Sequence, residues 1–180
     1  MKGYFRERGK MTVALVNDEL EPVFSYPAGA YTVLRVRADD SFTRRLIPKI
    51  IERALGFIER TDCETDPIWL GQLLFNGFAT NSNLIHVLCA LDSKENIIAH
   101  SVSYIETIQG VGNVATILQV EKSVRDGAEI TDLGIKLVCE WSKSLNVKIV
   151  RNWTSTDSRT RRFQKYGFKR HREVLQLTLE

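Results

Sequence analysis

The chain has 180 residues, 43% of them hydrophobic and 26% charged, with a formal net charge of +3. That is the composition of an ordinary globular protein of one domain, or one domain with an arm. No apolar run approaches the roughly 18–20 residues that cross a bilayer, and the apolar stretch Val13–Val16 is too short for a signal peptide. The expectation is an intracellular, cytoplasmic protein with no membrane partner.

The cysteines fit that expectation. Cys63, Cys89 and Cys139 are odd in number and far apart, so buried free thiols are expected rather than a disulfide framework. The three histidines, His86, His100 and His171, form no metal-binding spacing, and no metal is expected.

Residues 1–30 read as an arm or hairpin. MTVALV is strand-like, Asn17-Asp18 is a turn, and Pro22 and Pro27 bracket a second extended piece, PVFSY. YTVLRVRA (31–38) alternates as a strand. Asp39, Asp40 and Ser41 then offer N-cap oxygens to FTRRLIPKIIERALGFIER, which Pro48 divides or kinks. Asp66-Pro67 starts a further helix, IWLGQLLFNGF, ending near Gly77.

Three strands follow: LIHVLCALD (84–92), NIIAHSVSYIETI (96–108) and NVATILQVEK (113–122), with turns at Ser93-Lys94-Glu95 and at 109–112. Residues 129–145 give the clearest helix, because Ile130, Leu133, Leu137, Val138, Trp141 and Leu145 fall on one stripe. VKIVRNW (147–153) is the next strand. Asp157 caps a basic helix running to about Tyr166, and Gly167 separates it from a final strand. The order is β-α-α-β-β-β-α-β-α-β, an α/β fold with helices on a mixed central sheet.

This order, with LQV (118–120), SKSLNVKIV (142–150) and FQKYGF (163–168), resembles the GNAT superfamily of acyl-CoA-dependent N-acyltransferases. The resemblance covers about residues 31–179 as a GNAT-like domain, with residues 1–30 as an N-terminal extension. LQV looks like the family's L-x-V, and FQKYGF looks like its Y-x-K-x-G-F. Asn146 stands where glycine is commoner.

The resemblance implies transfer of an acetyl group from acetyl-CoA to an amine, on a small molecule or a protein. Leu118 and Val120 would hold the acyl-CoA by their backbone. Arg125, Gly127, Ala128 and Thr131 would hold its diphosphate at a helix N-terminus. The loop VRDGAEITDLG (124–134) departs from the family's glycine pattern, and Asp126 and Glu129 add negative charge there. Glu106 and Glu121 are the candidate bases, with Gln119 a candidate for positioning water. Phe163 occupies the usual general-acid tyrosine position and has no proton to give. Tyr166 is then the candidate acid, or else a core residue. His100 reads as a hydrogen-bonded structural histidine. Trp69, Phe75 and Phe78 wall an acceptor site or pack in the core.

Two other readings follow from the same residues. One is a GNAT-fold protein without activity, a binding or structural module in an assembly, docking a protein partner or a second copy through residues 1–30. Such divergence suits a virus-encoded protein, placed in host cytoplasm or virion. The other is nucleic-acid binding through Lys148–Arg172, where nine basic residues face only Asp157. The low net charge and the absence of a nucleic-acid motif argue against it.

Overall fold

The computed structural model describes residues 24–61, 65–124, 127–152, 161 and 163–169. Six strands form one sheet in chain order: β1 (Ser25–Ala28), β2 (Tyr31–Arg35), β3 (Ile85–Leu91), β4 (Ile97–Ile108), β5 (Gly112–Lys122) and β6 (Ile149–Asn152). Every neighbouring pair is antiparallel except β5 and β6, which are parallel. A parallel pair needs a crossover, and α4 (Ala128–Ser144) supplies it.

The other helices are α1 (Ser41–Arg44), α2 (Ile47–Arg60) and α3 (Pro67–Ala79). The expected division at Pro48 is present, and its cause is visible. Proline stands in the first turn of α2, where its missing N–H costs no helical bond. Asp40 caps α1 through the amides of Phe42 and Thr43, and Asp66 caps α3 through the amide of Ile68. α3 runs two residues beyond Gly77, to Ala79.

Each face of the sheet has its own core. Against α4 lie Val33, Leu88, Ala90, Ala99, Ala115 and Ile117, with Ile130, Leu137, Val138 and Trp141 from the helix. Against α1, α2 and α3 lie Leu34, Val87, Cys89, Leu91 and Val102, with Ile50, Ala54, Leu70, Leu74 and Phe78. The central strand β3 is buried along its whole length. That is why its sequence reads as a nearly unbroken apolar run rather than an alternation.

The helix ends agree with the motif readings. Asn146 has φ +56°, the left-handed conformation that ends a helix, so asparagine does the work of the commoner glycine. Gly167 has φ +85° and turns the chain between Phe163 and Phe168, whose rings meet edge to face at 5.1 Å. Of the last helix, Arg161, Phe163 and Gln164 are described as helical. The expected final strand and the strand MTVALV lie outside the described residues, as does Cys63. Cys89 is buried and its thiol is pushed up to about 12 by burial, so it is inert, while Cys139 is half-buried.

Candidate active site

The site grows from an irregularity in β5. Val102 pairs with Gln119 but Ser103 pairs with Ile117, so Leu118 is an extra residue, a β-bulge. The bulge resets the alternation. Thr116, Gln119 and Glu121 all take the sheet face of their partners Tyr104, Val102 and His100, the face covered by α2 and α3. Leu118 is half-buried against that same core. Val120 pairs with Ser101 on the other face and is 36% exposed.

β5 pairs with β6 from Val114↔Ile149 to Ile117↔Asn152 and continues five residues further, to Lys122. At the last pair the Asn152 side-chain Nδ2 donates to the Ile117 carbonyl at 3.0 Å. Beyond the bulge, Gln119 to Lys122 pair with β4, and Leu118 has no partner there.

α4 begins soon afterwards. Gly127 precedes it with an extended φ of −171°. The Thr131 amide and hydroxyl both donate to the Gly127 carbonyl, at 3.2 and 3.3 Å. The amides of Ala128, Glu129 and Ile130 have no acceptor within the helix, as at every helix start, and they carry its positive end.

A side-chain carbon on Gly127 would stand 2.8 Å from Lys122 Cδ and 3.2 Å from its Nζ. The Lys122 ammonium thus lies over the backbone that starts α4. The sequence reading passed over this lysine. Strand alternation could have found it, since Lys122 is two residues beyond Val120 and shares its face.

The Glu129 carboxylate is packed against Gly29, in the turn between β1 and β2, too closely for a side chain at Gly29. The charge that threatened the loop is turned toward that hairpin. With Asp132 and Lys136 it borders a hollow of about 430 Å³ beside the β1–β2 turn. Arg125 and Asp126 lie outside the described residues.

The two candidate bases occupy different clusters. Glu121 is held by Arg60 at 2.8 Å and by Arg53 at 3.6 Å, both from α2, and its Oε2 is 3.2 Å from His100 Nδ1. His100 Nε2 lies 3.0 Å from Gln119 Oε1, and Gln119 Nε2 donates to the Ala54 carbonyl at 2.8 Å. His100 is thus the structural histidine expected. Burial pulls its imidazole down, outweighing Gln119 and Glu121, and the two arginines add to the fall. Gln119 is buried with both ends of its amide engaged, so it has no position from which to hold a reacting water.

Glu106 accepts from the Thr116 hydroxyl and from Arg151 Nη2, each at 2.5 Å, and Arg151 Nε donates to Thr116 Oγ1 at 2.8 Å. Burial pushes the Glu106 carboxyl up, but Thr116 and Arg151 more than reverse this and leave it below its ordinary value. It is ionised at neutral pH, better suited to anchoring a cation than to taking a proton. Tyr104 shares the cluster. Its hydroxyl is raised by burial and by the Glu106 charge.

Phe163, at the usual acid position, is buried in the α4-side core, and the candidate acid Tyr166 is 37% exposed. Tyr166 is therefore a surface residue rather than a core one. Of the three aromatics on α3, Phe78 is in the core, Phe75 is 67% exposed, and Trp69 meets Tyr104 edge to face at 5.4 Å. Trp69, Tyr104, Glu106, Thr116 and Arg151 thus stand together on the α2/α3 face, one residue pair from the end of the β5–β6 pairing. This grouping was not visible from the sequence.

Among the described residues, no group of three or more His, Cys, Asp or Glu could hold a metal ion. None of their helices is long and apolar enough to cross a membrane.

No family model matches the sequence, and no curated protein matches it. Solved structures do. A predicted acetyltransferase from Clostridium acetobutylicum, solved with acetyl-CoA, is 20% identical with a TM-score of 0.59, covering 82% of this chain and 96% of that one. Glucosamine-6-phosphate N-acetyltransferase from Arabidopsis thaliana is 15% identical with a TM-score of 0.58, covering 83% and 99%. An acetyltransferase from Trypanosoma brucei is 19% identical with a TM-score of 0.56, covering 83% and 99%. At these identities the likeness is one of fold, and the chain has the GNAT fold.

Proposed function

We propose that this protein is an N-acetyltransferase that moves an acetyl group from acetyl-CoA to an amine. The observation that carries the reading is the β-bulge at Leu118 in β5, with Lys122 at the end of the same strand lying over Gly127 at the start of α4. The strand peptides at the bulge, at Leu118 and at the partly exposed Val120, suit the amide-rich pantetheine arm. The first-turn amides of α4, with Lys122 above Gly127, suit a diphosphate.

The acceptor approaches from the opposite face, between Trp69 and the Glu106 carboxylate. The acceptor ammonium loses one proton and its nitrogen attacks the thioester carbonyl. The C–N bond forms, the nitrogen gives up its second proton, the C–S bond breaks, and the departing CoA thiolate takes one proton, so that one proton in all is released to solvent. Glu106 anchors the ammonium. Water carries the protons, because both carboxylates are engaged in ion pairs and Phe163 has no hydroxyl.

Calorimetric titration with acetyl-CoA, followed by a thiol-release assay over a panel of amines, tests the reading. Micromolar binding and turnover with at least one amine are expected, with E106Q raising KM for the amine more than it lowers kcat. No binding at millimolar acetyl-CoA sinks the proposal.

A second reading, a GNAT-fold module without activity, is favoured by one observation: Glu121 and Glu106 are each held by arginine. It predicts acetyl-CoA binding without turnover, or neither, and a protein partner or second copy engaged through residues 1–30.

A further inference from the structure

We infer that the acceptor is a small monoamine with an aromatic body, its ammonium held by Glu106 and its ring lying on Trp69. The inference rests on the acetyl-transfer reading above and narrows the amine which that reading leaves open.

The first observation is the remaining capacity of Glu106. Thr116 and Arg151 both donate to its Oε1, and the Tyr104 hydroxyl is a further, weaker partner of the carboxylate. An ionised carboxylate accepts at about four positions, so there is room for one more donor group. The Glu106 side chain is 26% exposed, so an ammonium can reach it from solvent.

The second observation is what α3 lacks. From Pro67 to Ala79 it carries no charged side chain, whereas α2 carries Lys49, Glu52, Arg53, Glu59 and Arg60. What α3 brings to the cluster is Trp69, 38% exposed and edge to face on Tyr104.

These two observations rank the amines. A second cationic centre, as in a polyamine, finds no counter-ion on α3 and is repelled by Arg151 beside Glu106. An amino sugar would press hydroxyls on the indole, where they lose water and gain no hydrogen bond. An aromatic body covers apolar surface and adds a ring contact. Its ammonium, next to Glu106, also lies near the Tyr104 ring.

The test compares kcat/KM for 2-phenylethylamine, ethylamine, spermidine and glucosamine in the thiol-release assay, with wild type, W69F and W69A. In wild type, 2-phenylethylamine is expected to exceed each of the others at least about tenfold, the worth of one ring contact with its buried area. W69F should keep most of this margin. W69A should reduce it to about threefold or less, through KM more than kcat.

Spermidine, glucosamine or ethylamine used as well as 2-phenylethylamine overturns the inference and leaves acetyl transfer standing. A wild-type margin in W69A overturns it too. The wild-type ranking needs no variant and decides alone where W69A does not fold. If no amine is turned over, the acetyl-transfer reading falls, and saturation-transfer NMR of the four amines with wild type, W69A and E106Q decides. Preferential binding of 2-phenylethylamine, lost in both variants, upholds the inference. Equal binding of the four, binding unchanged in the variants, or no binding overturns it.

Discussion

His100 Nε2 stands 3.0 Å from the Gln119 side-chain oxygen, and the Gln119 amide nitrogen donates to the Ala54 carbonyl at 2.8 Å. A carbonyl can only accept, so the amide orientation is forced, and His100 must carry its hydrogen on Nε2. Replacing Gln119 with leucine strands both the imidazole N–H and this link to α2. The expected cost is about 1–3 kcal/mol in urea unfolding. A loss below about 0.5 kcal/mol would mean that water replaces the glutamine freely, against its burial.

Glu121 is an ion-pair partner in this arrangement rather than a base. Arg60 is largely exposed, so that pair contributes little, and Arg53 and His100 are the more protected neighbours. E121A should cost about 1–2 kcal/mol in stability, since it leaves the Arg53 charge partly buried and unopposed. Its acetyl-transfer rate, where transfer is found, should stay within about threefold of wild type. A protein of unchanged stability whose rate collapses would return Glu121 to the role of base.

His86 makes stability depend on acid. It is buried, stacked on Trp141 at 4.9 Å, and its pKa is lowered to about 3 by burial, with a smaller effect from Arg35. The unfolded chain takes up this proton near pH 6.5. The stabilisation is therefore complete above that pH and is lost progressively as the pH falls from 6.5 toward 3, at about 1.4 kcal/mol per pH unit. His100 acts in the same direction. H86F keeps an aromatic ring against Trp141 and should flatten the slope by one proton. Denaturant unfolding at pH 7, 6, 5 and 4 measures it, and parallel slopes for variant and wild type would place the acid sensitivity elsewhere.

Lys122 supplies a positive charge beside the start of α4. K122A should weaken acetyl-CoA about three- to tenfold at low salt, and the difference should narrow as salt rises, because exposed charge pairs are screened. R125A, three residues later in the sequence, should also weaken binding. If K122A binds like wild type at 20 mM and at about 500 mM salt alike, the diphosphate lies away from this lysine.

Much of the architecture was readable because its causes are local. Alternation marked the strand at 31–38, apolar runs bounded by turn residues marked those at 84–92 and 96–108, and a single apolar stripe marked α4. Asp40, Asp66 and Asn146 each act through groups within a few residues of themselves. Such signals survive in one dimension because the caps and periodicities that produce them span a few residues.

What only the tertiary structure decided is how the polar groups are spent. Glu106 and Arg151 are far apart in sequence, and Glu121 meets Arg60 from another element. Whether a carboxylate is a free base or half of an ion pair depends on which side chain the fold sets opposite it, and spacing carries no trace of that. The same holds for Glu129 against Gly29, and for Leu118, whose status as a bulge exists only relative to the register of β4. By itself the sequence determined a mixed sheet with helices and a family resemblance. Long-range pairing decided which of its ionisable groups have chemistry left to offer, because each buried charge must first find a partner.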